Sequence, residues 1–223
     1  MSKMFKSVGT TWSAQHGCEY GCEYCRAKTI AERLSVSSEK YRDGFKPGFW
    51  ELAMNDKFKP GVLVFVSFMG DLFGPWVKSD IIQRVINRTR AFPLTSFLFL
   101  SKNPIRFHDF EFPLNSYLGT TLETNVDTFL TRAPKPRDRY QALLEYDHPN
   151  KFVSIEPIMD FDKSVFIPWF VQLMPSIVEI GSDNYNNNLP EPKWENVSLL
   201  INSLKDLGIT VFEKDSLERL KGK

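Results

Sequence analysis

Short, nearly unbroken apolar runs recur along this chain of 223 residues, and they limit its fold more than any other feature. "VLVFVS" (62–67), "SFLFLS" (96–101), "SYLGTT" (116–121), "KFVSIE" (151–156), "SIVEIG" (176–181) and "GITVFE" (208–213) are of this kind, and "VGTTWS" (8–13) is a weaker first member. A half-exposed strand alternates apolar and polar residues, whereas a strand covered on both faces does not. These runs therefore predict buried parallel strands. The segments between them carry helix punctuation. Ser79 and Asp80 open a stretch in which Ile82, Val85, Ile86 and Thr89 recur at helical spacing, and Pro93 follows it. Residues 136–145 and 163–174 are further helices. The strongest is 191–208, with Pro192 suited to a first turn, one apolar face of Trp194, Val197, Leu200, Ile201, Leu204 and Leu207, and Gly208 where a left-handed cap belongs.

Strand and helix alternating in this way imply right-handed crossovers, and hence a doubly wound sheet or a full or partial (β/α) barrel of about six or seven parallel strands. The length suits a single domain over 1–223. Residues 36–60, rich in aromatics, fit no element and are expected to pack down as an ordered excursion.

In parallel α/β folds ligands bind at the carboxyl ends of the strands. Here the apolar runs end repeatedly in polar side chains: Asp71 after the second, Lys102 and Asn103 after the third, Glu123, Thr124 and Asn125 after the fourth, then Glu156, then Ser182, Asp183 and Asn184, and finally Lys214 and Asp215. Loops are polar in any case, but Glu156 and Lys214 stand directly against long apolar runs. That placement describes a site.

Global charge adds little. A net charge of +1 points to no nucleic acid, membrane surface or acidic partner. No run of eighteen or more apolar residues exists, so no membrane span is expected and the chain is expected to be cytoplasmic.

All three cysteines, Cys18, Cys22 and Cys25, fall in "GCEYGCEYCRAKTIAERL" (17–34), with the spacing C-x3-C-x2-C and a helix beginning near Arg26. Such packing argues against a disulfide framework and suits a reducing compartment. Zinc held with His16 is one reading, though structural zinc sites bring their ligands as two spaced pairs. Inert free cysteines are another, but the segment is polar and glycine-rich, and structural cysteines prefer apolar surroundings. The third is a [4Fe–4S] cluster. Such clusters take four thiolates as a rule, so three leave one iron open for chemistry.

With Tyr24 before the last cysteine, in the loop after a first strand, the motif resembles the C-x3-C-x-aromatic-C signature of the radical S-adenosylmethionine (SAM) superfamily. "TTWSAQHGC", "YRDGF", "VFVSFMGDLF", "FLFLSKNP", "LGTTLETN", "FVSIEPI" and "VFEKDSL" extend the resemblance over nearly the whole chain, to the phage-associated three-Cys-motif family, distantly similar to spore photoproduct lyase. The Cys18–Cys22 interval is short where many phage members carry longer loops.

The resemblance implies a partial (β/α) barrel with a [4Fe–4S] cluster at its mouth and reductive cleavage of SAM to methionine and a 5′-deoxyadenosyl radical, which takes hydrogen from a substrate. It also implies a one-electron reductant of flavodoxin or ferredoxin type and a partner protein of the three-Cys-motif kind. Carried over by position, Tyr24 shields the cluster, and Ser67 and Asp71 receive the methionine amino group, unless Asp71 only caps its turn. Glu123 meets a ribose hydroxyl or the surroundings of the sulfonium, with Asn125 beside it. Glu156 faces substrate or adenosyl hydroxyls, pairs with Lys214, or does both. Among Arg132, Lys135, Arg137 and Arg139 one arginine could fork onto the methionine carboxylate, and together they could meet a phosphate backbone, making nucleic acid or a nucleotide the expected substrate; otherwise the run is a solvated helix start. His108 and His148 lack metal-ligand spacing and receive no role. A non-catalytic zinc or cluster adaptor for nucleic acid or protein is the alternative function.

Overall fold

The computed structural model describes residues 5–222. Its strands in chain order are β1 (Thr10–Trp12), β2 (Gln15–His16), β3 (Gly48–Phe49), β4 (Leu63–Val66), β5 (Ser96–Leu100), β6 (Ser116–Thr121), β7 (Lys151–Ile155), β8 (Ile177–Ile180) and β9 (Thr210–Glu213). Seven of them form one sheet in the order β1-β4-β5-β6-β7-β8-β9, every pair parallel. Each strand of that sheet lies beside the next of its members in sequence, so every connection is a crossover between neighbouring parallel strands. β1 and β9 do not pair with each other, so the sheet is a half-barrel with an open seam.

The unbroken apolar runs have a direct structural cause. Outward residues such as Val64, Phe97, Phe99, Leu118, Val153 and Val178 pack beneath the helices. Inward residues Phe65, Leu98 and Phe152 form a second cluster inside the curve of the sheet. Both faces are covered, so neither tolerates polar residues. The covering helices are α1 (Arg26–Leu34), α2 (Ser79–Arg90), α3 (Pro136–Glu145), α4 (Lys163–Leu173), α5 (Trp194–Asp206) and the short α6 (Glu218–Lys221). The helical face on α2 is the expected one, with Ile82, Val85, Ile86 and Thr89 all buried.

Two expectations need correction. Pro192 precedes the cap residue Lys193 and lies outside α5, while Gly208, at φ +78°, does end that helix in the left-handed region. The last strand consequently begins at Thr210, because Gly208 and Ile209 still belong to the turn. Residues 36–60 contain two short 3-10 turns, Glu39–Tyr41 and Glu51–Asn55, and the strand β3, which pairs antiparallel with β2. The excursion thus buttresses the chain just ahead of Cys18. Among the described residues no helix is long and apolar enough to cross a membrane.

Candidate metal centre and barrel mouth

Two glycines shape the cysteine loop. Gly17 has φ +78°, and a side chain there would place its Cβ 2.1 Å from the Lys46 carbonyl oxygen. Gly21 has φ +62° and faces the Arg132 guanidinium, 3.2 Å from where a Cβ would stand. No other residue type fits Gly17 without moving the backbone. The loop is sewn on both sides: Cys18 N donates to Phe45 O at 3.2 Å, Glu23 N to Leu130 O at 3.0 Å and Arg132 N to Tyr20 O at 2.9 Å.

Within this frame Cys25 caps α1, its Sγ accepting from Lys28 N at 3.4 Å. Cys22 Sγ shares a hydrogen bond with Thr131 Oγ1 at 3.1 Å. Burial pushes the Cys18 thiol up, helped by the charge of Asp71, and burial pushes Cys25 up as well. Without a bound metal these groups are thiols, and binding a cation would displace their protons. Among the described residues no three His, Cys, Asp or Glu side chains converge on a single-ion site. His16, the expected fourth zinc ligand, packs against Gly48 and edge-on to Tyr41, ring centroids 5.5 Å apart.

Beside the loop, β5 and β6 end in a buried charged cluster. Glu123 accepts from Tyr24 Oη at 2.6 Å and from Arg139 at 2.9 Å, and it also pairs with the Lys102 ammonium. Lys102 stands two residues past Leu100 and Glu123 two past Thr121, so the period of two along each strand aims both inward. Burial and the neighbouring Arg139 push the Lys102 ammonium down to about 8. Both oxygens of Glu123 are engaged by the chain itself, and Tyr24 is tied to that carboxylate. Lys102 was visible as a charge after an apolar run, the same signal that singles out Glu156 and Lys214.

Asp71 is likewise committed. Its carboxylate accepts from Phe73 N at 3.0 Å, Ser101 Oγ at 2.6 Å and Lys102 N at 2.9 Å, so it caps its own turn and joins two strand ends. Ser67 Oγ, by contrast, is buried with no hydrogen-bond partner among the described residues, and so is the Tyr20 hydroxyl. Ser67 lies at φ +55° in the turn that pairs with Gly17 through Gly70. Buried hydroxyls are rarely left unpaired. Asn125 is engaged away from this group, its Oδ1 accepting from Asp162 N at 3.0 Å at the start of α4.

The expected arginine cluster does not form. Arg139 is buried under Glu123, Arg132 donates to the Glu19 carbonyl, and Lys135 pairs with Asp127 at 2.6 Å on the surface, leaving Arg137 exposed. His108 Nε2 meets Ala142 O at 3.2 Å and His148 Nδ1 accepts from Asn150 N at 3.2 Å, both in local structural contacts.

Across the mouth, Glu156 and Lys214 form an ion pair, both side chains largely buried. Burial pushes the Glu156 carboxyl up, and Lys214 partly offsets that. Gly181 makes room for the pair, since a Cβ there would lie 2.9 Å from Lys214 Cδ and 3.0 Å from Glu156 Oε1. Asn184 Nδ2 reaches Glu156 at 3.4 Å. The same loop carries exposed Tyr185 to Arg26, whose guanidinium lies 4.3 Å from the ring centroid, directly after the third cysteine.

The donor type suits a multi-iron cluster: three thiols share one loop, and each iron of such a cluster takes its own thiolate.

The same fold is found among solved structures. A mutant of spore photoproduct lyase matches 96% of this chain and 80% of its own, with a TM-score of 0.60 at 11% identity. A second mutant of that lyase, with a dinucleoside spore photoproduct, matches 90% of this chain and 75% of its own at TM-score 0.56 and 12% identity. A radical SAM methyltransferase from Sphaerobacter thermophilus matches 95% of this chain and 67% of its own at TM-score 0.53 and 13% identity. The half-barrel is therefore a fold that this chain shares with these proteins. No curated protein matches the sequence. The sequence family whose profile matches, over residues 4–169, is described as "Protein of unknown function (DUF5131)", and the chain belongs to that family.

Proposed function

We propose that this protein is a radical SAM enzyme in which Cys18, Cys22 and Cys25 hold a [4Fe–4S] cluster and leave one iron for SAM. The observation that carries the reading is the set of three thiols on one braced loop at the carboxyl-end mouth of a parallel half-barrel, in a chain with no fourth cysteine. Cys18, Cys22 and Cys25 would hold the cluster, which with SAM and an external one-electron reductant would supply radical hydrogen-abstraction chemistry at the mouth.

The chain's own residues do the rest. Ser67 Oγ and Tyr20 Oη are the unpartnered hydroxyls beside the loop and suit the polar end of a bound ligand. Lys102 and Arg139 hold Glu123 beside the loop, and Asp71 joins the two strand ends next to them, so these side chains brace the mouth around the thiols. Glu156 and Lys214, joined to each other across the mouth, are the polar groups left to meet substrate.

The substrate class we assign is a nucleobase or nucleotide. It is supported by the exposed Tyr185 ring under the Arg26 guanidinium and by the exposed Asn184, Asn186 and Asn188 around it. Aromatic and guanidinium planes stack bases, and amide side chains match base edges. The lyase neighbour with a dinucleoside spore photoproduct agrees with that class.

Anaerobic reconstitution tests the whole reading. A brown protein with four irons per chain that releases 5′-deoxyadenosine on reduction with SAM is expected. A colourless protein with one zinc per chain would overturn it.

A further inference from the structure

The inside of the half-barrel is occupied by the segment that precedes β1. Phe5 packs inside the curve of the sheet against Phe65 on β4 and Phe152 on β7, ring centroids 5.3 and 5.5 Å away. Gly9 N donates to Leu63 O at 2.9 Å, tying the same segment to the β4 side. On the far side it meets Glu179 of β8, which is 0% exposed. Lys6 N and Ser7 N donate to that carboxylate at 2.9 and 2.8 Å, and Ser7 Oγ donates as well. Lys6 Nζ reaches Asp215, just past β9, at 2.7 Å.

A carboxylate sealed from water is costly unless hydrogen bonds replace its hydration. Every hydrogen bond to Glu179 among the described residues comes from Lys6 and Ser7. Its cost and its compensation therefore belong to one segment, which no ordinary barrel residue would explain. The segment also reaches the mouth: the Lys214 ammonium, paired with Glu156, lies 4.8 Å from the centroid of the Phe5 ring. A partly desolvated ammonium over an aromatic face is held by the ring's quadrupole.

We infer that residues 5–8 are the missing wall of the half-barrel, latched by Glu179, and that Phe5 is a positioning residue that seats Lys214 at the mouth. The wall closes the lumen between the β4 and β8 sides and keeps water from reaching the mouth from below. Only the term "mouth" as a substrate site rests on the function proposed above.

The test uses the metal-free full chain, so it can fail independently of the cluster. In wild type the amides of Lys6 and Ser7 should exchange with deuterium slowly, and Glu179→Gln should speed them at least tenfold while β5 and β6 amides keep their protection. Should Glu179→Gln fail to fold, Ser7→Ala, which removes one of the three donors, is read in the same way. Phe5→Ala should raise labelling of Lys214 by an amine-directed reagent several-fold. Random-coil exchange at residues 6 and 7 in wild type, unchanged exchange in the latch variants, or unchanged Lys214 labelling in Phe5→Ala would each overturn the inference.

Discussion

Arg139 donates to Glu123 at 2.9 Å with the two side chains 2% and 1% exposed, so a helix on the outside of the sheet fixes a carboxylate at its mouth. Removing Arg139 leaves Glu123 to the Lys102 ammonium and the Tyr24 hydroxyl, with one carboxylate oxygen and the Thr121 carbonyl losing their buried donor. Arg139→Leu should therefore lower unfolding free energy by about 1–3 kcal/mol, while Arg137→Ala should change it by less than about 0.5 kcal/mol. Urea unfolding of the metal-free proteins measures both. A loss at Arg139 no larger than that at Arg137 would show that Glu123 finds other support.

The loop glycines divide into two kinds. Gly17 and Gly44 both have positive φ, but a Cβ at Gly17 collides with Lys46 whereas Gly44 has nothing within 4 Å. Gly44→Ala should cost about 1 kcal/mol through backbone conformation alone. Gly17→Ala must shift the backbone next to Cys18, and the reconstituted variant should lose most of its iron. Iron and sulfide assays on the two proteins side by side separate strain from misplacement.

Much of this fold is written in local pattern. The strands are legible because apolar runs covered on both faces have no polar alternation, and α3 and α4 because Pro136 and Asp162 mark their starts. The β2–β3 pairing is not legible, since a two-residue ladder leaves no periodic trace and depends on His16 and Gly48 meeting 32 residues apart. The site divides in a similar way. Residues just past strand ends, such as Glu156 and Lys214, announce themselves by charge against an apolar run. The fate of the arginines does not, because sequence spacing cannot tell that Arg139 turns inward to Glu123 while Lys135 turns out to Asp127. Glu179 had a signal of its own, a lone carboxylate inside "SIVEIG".

Lys102 provides a pH dependence. Its ammonium is pushed down to about 8 from an ordinary 10.5, chiefly by burial. Between those values the unfolded chain binds more protons at this position than the folded one, so the contribution to stability rises with pH. It is fully present above about 10.5 and lost as pH falls through about 8. Relative to Lys102→Met, wild type should gain in urea midpoint between pH 7.5 and 10.5. Comparing the two proteins cancels every contribution that they share. A constant difference across that range would mean that Lys102 keeps its ordinary proton affinity.

The loop over the mouth offers the sharpest separation of chemistry from recognition. Tyr185 is exposed, touches Arg26 and donates no ligand to the metal centre, so its replacement leaves the cysteine loop intact. If the ring stacks a base, Tyr185→Ala should weaken binding of a short single-stranded oligonucleotide by about 1–3 kcal/mol, roughly 5- to 150-fold. Iron content and the 5′-deoxyadenosine released without substrate should stay at wild-type levels. The loss should persist when salt is raised, because stacking is not ionic, whereas a contact made by Arg26 to phosphate would fade with salt. Fluorescence anisotropy at two salt concentrations distinguishes the two. Equal affinity of wild type and Tyr185→Ala would remove the nucleobase class from the substrate assignment and leave the cluster chemistry standing.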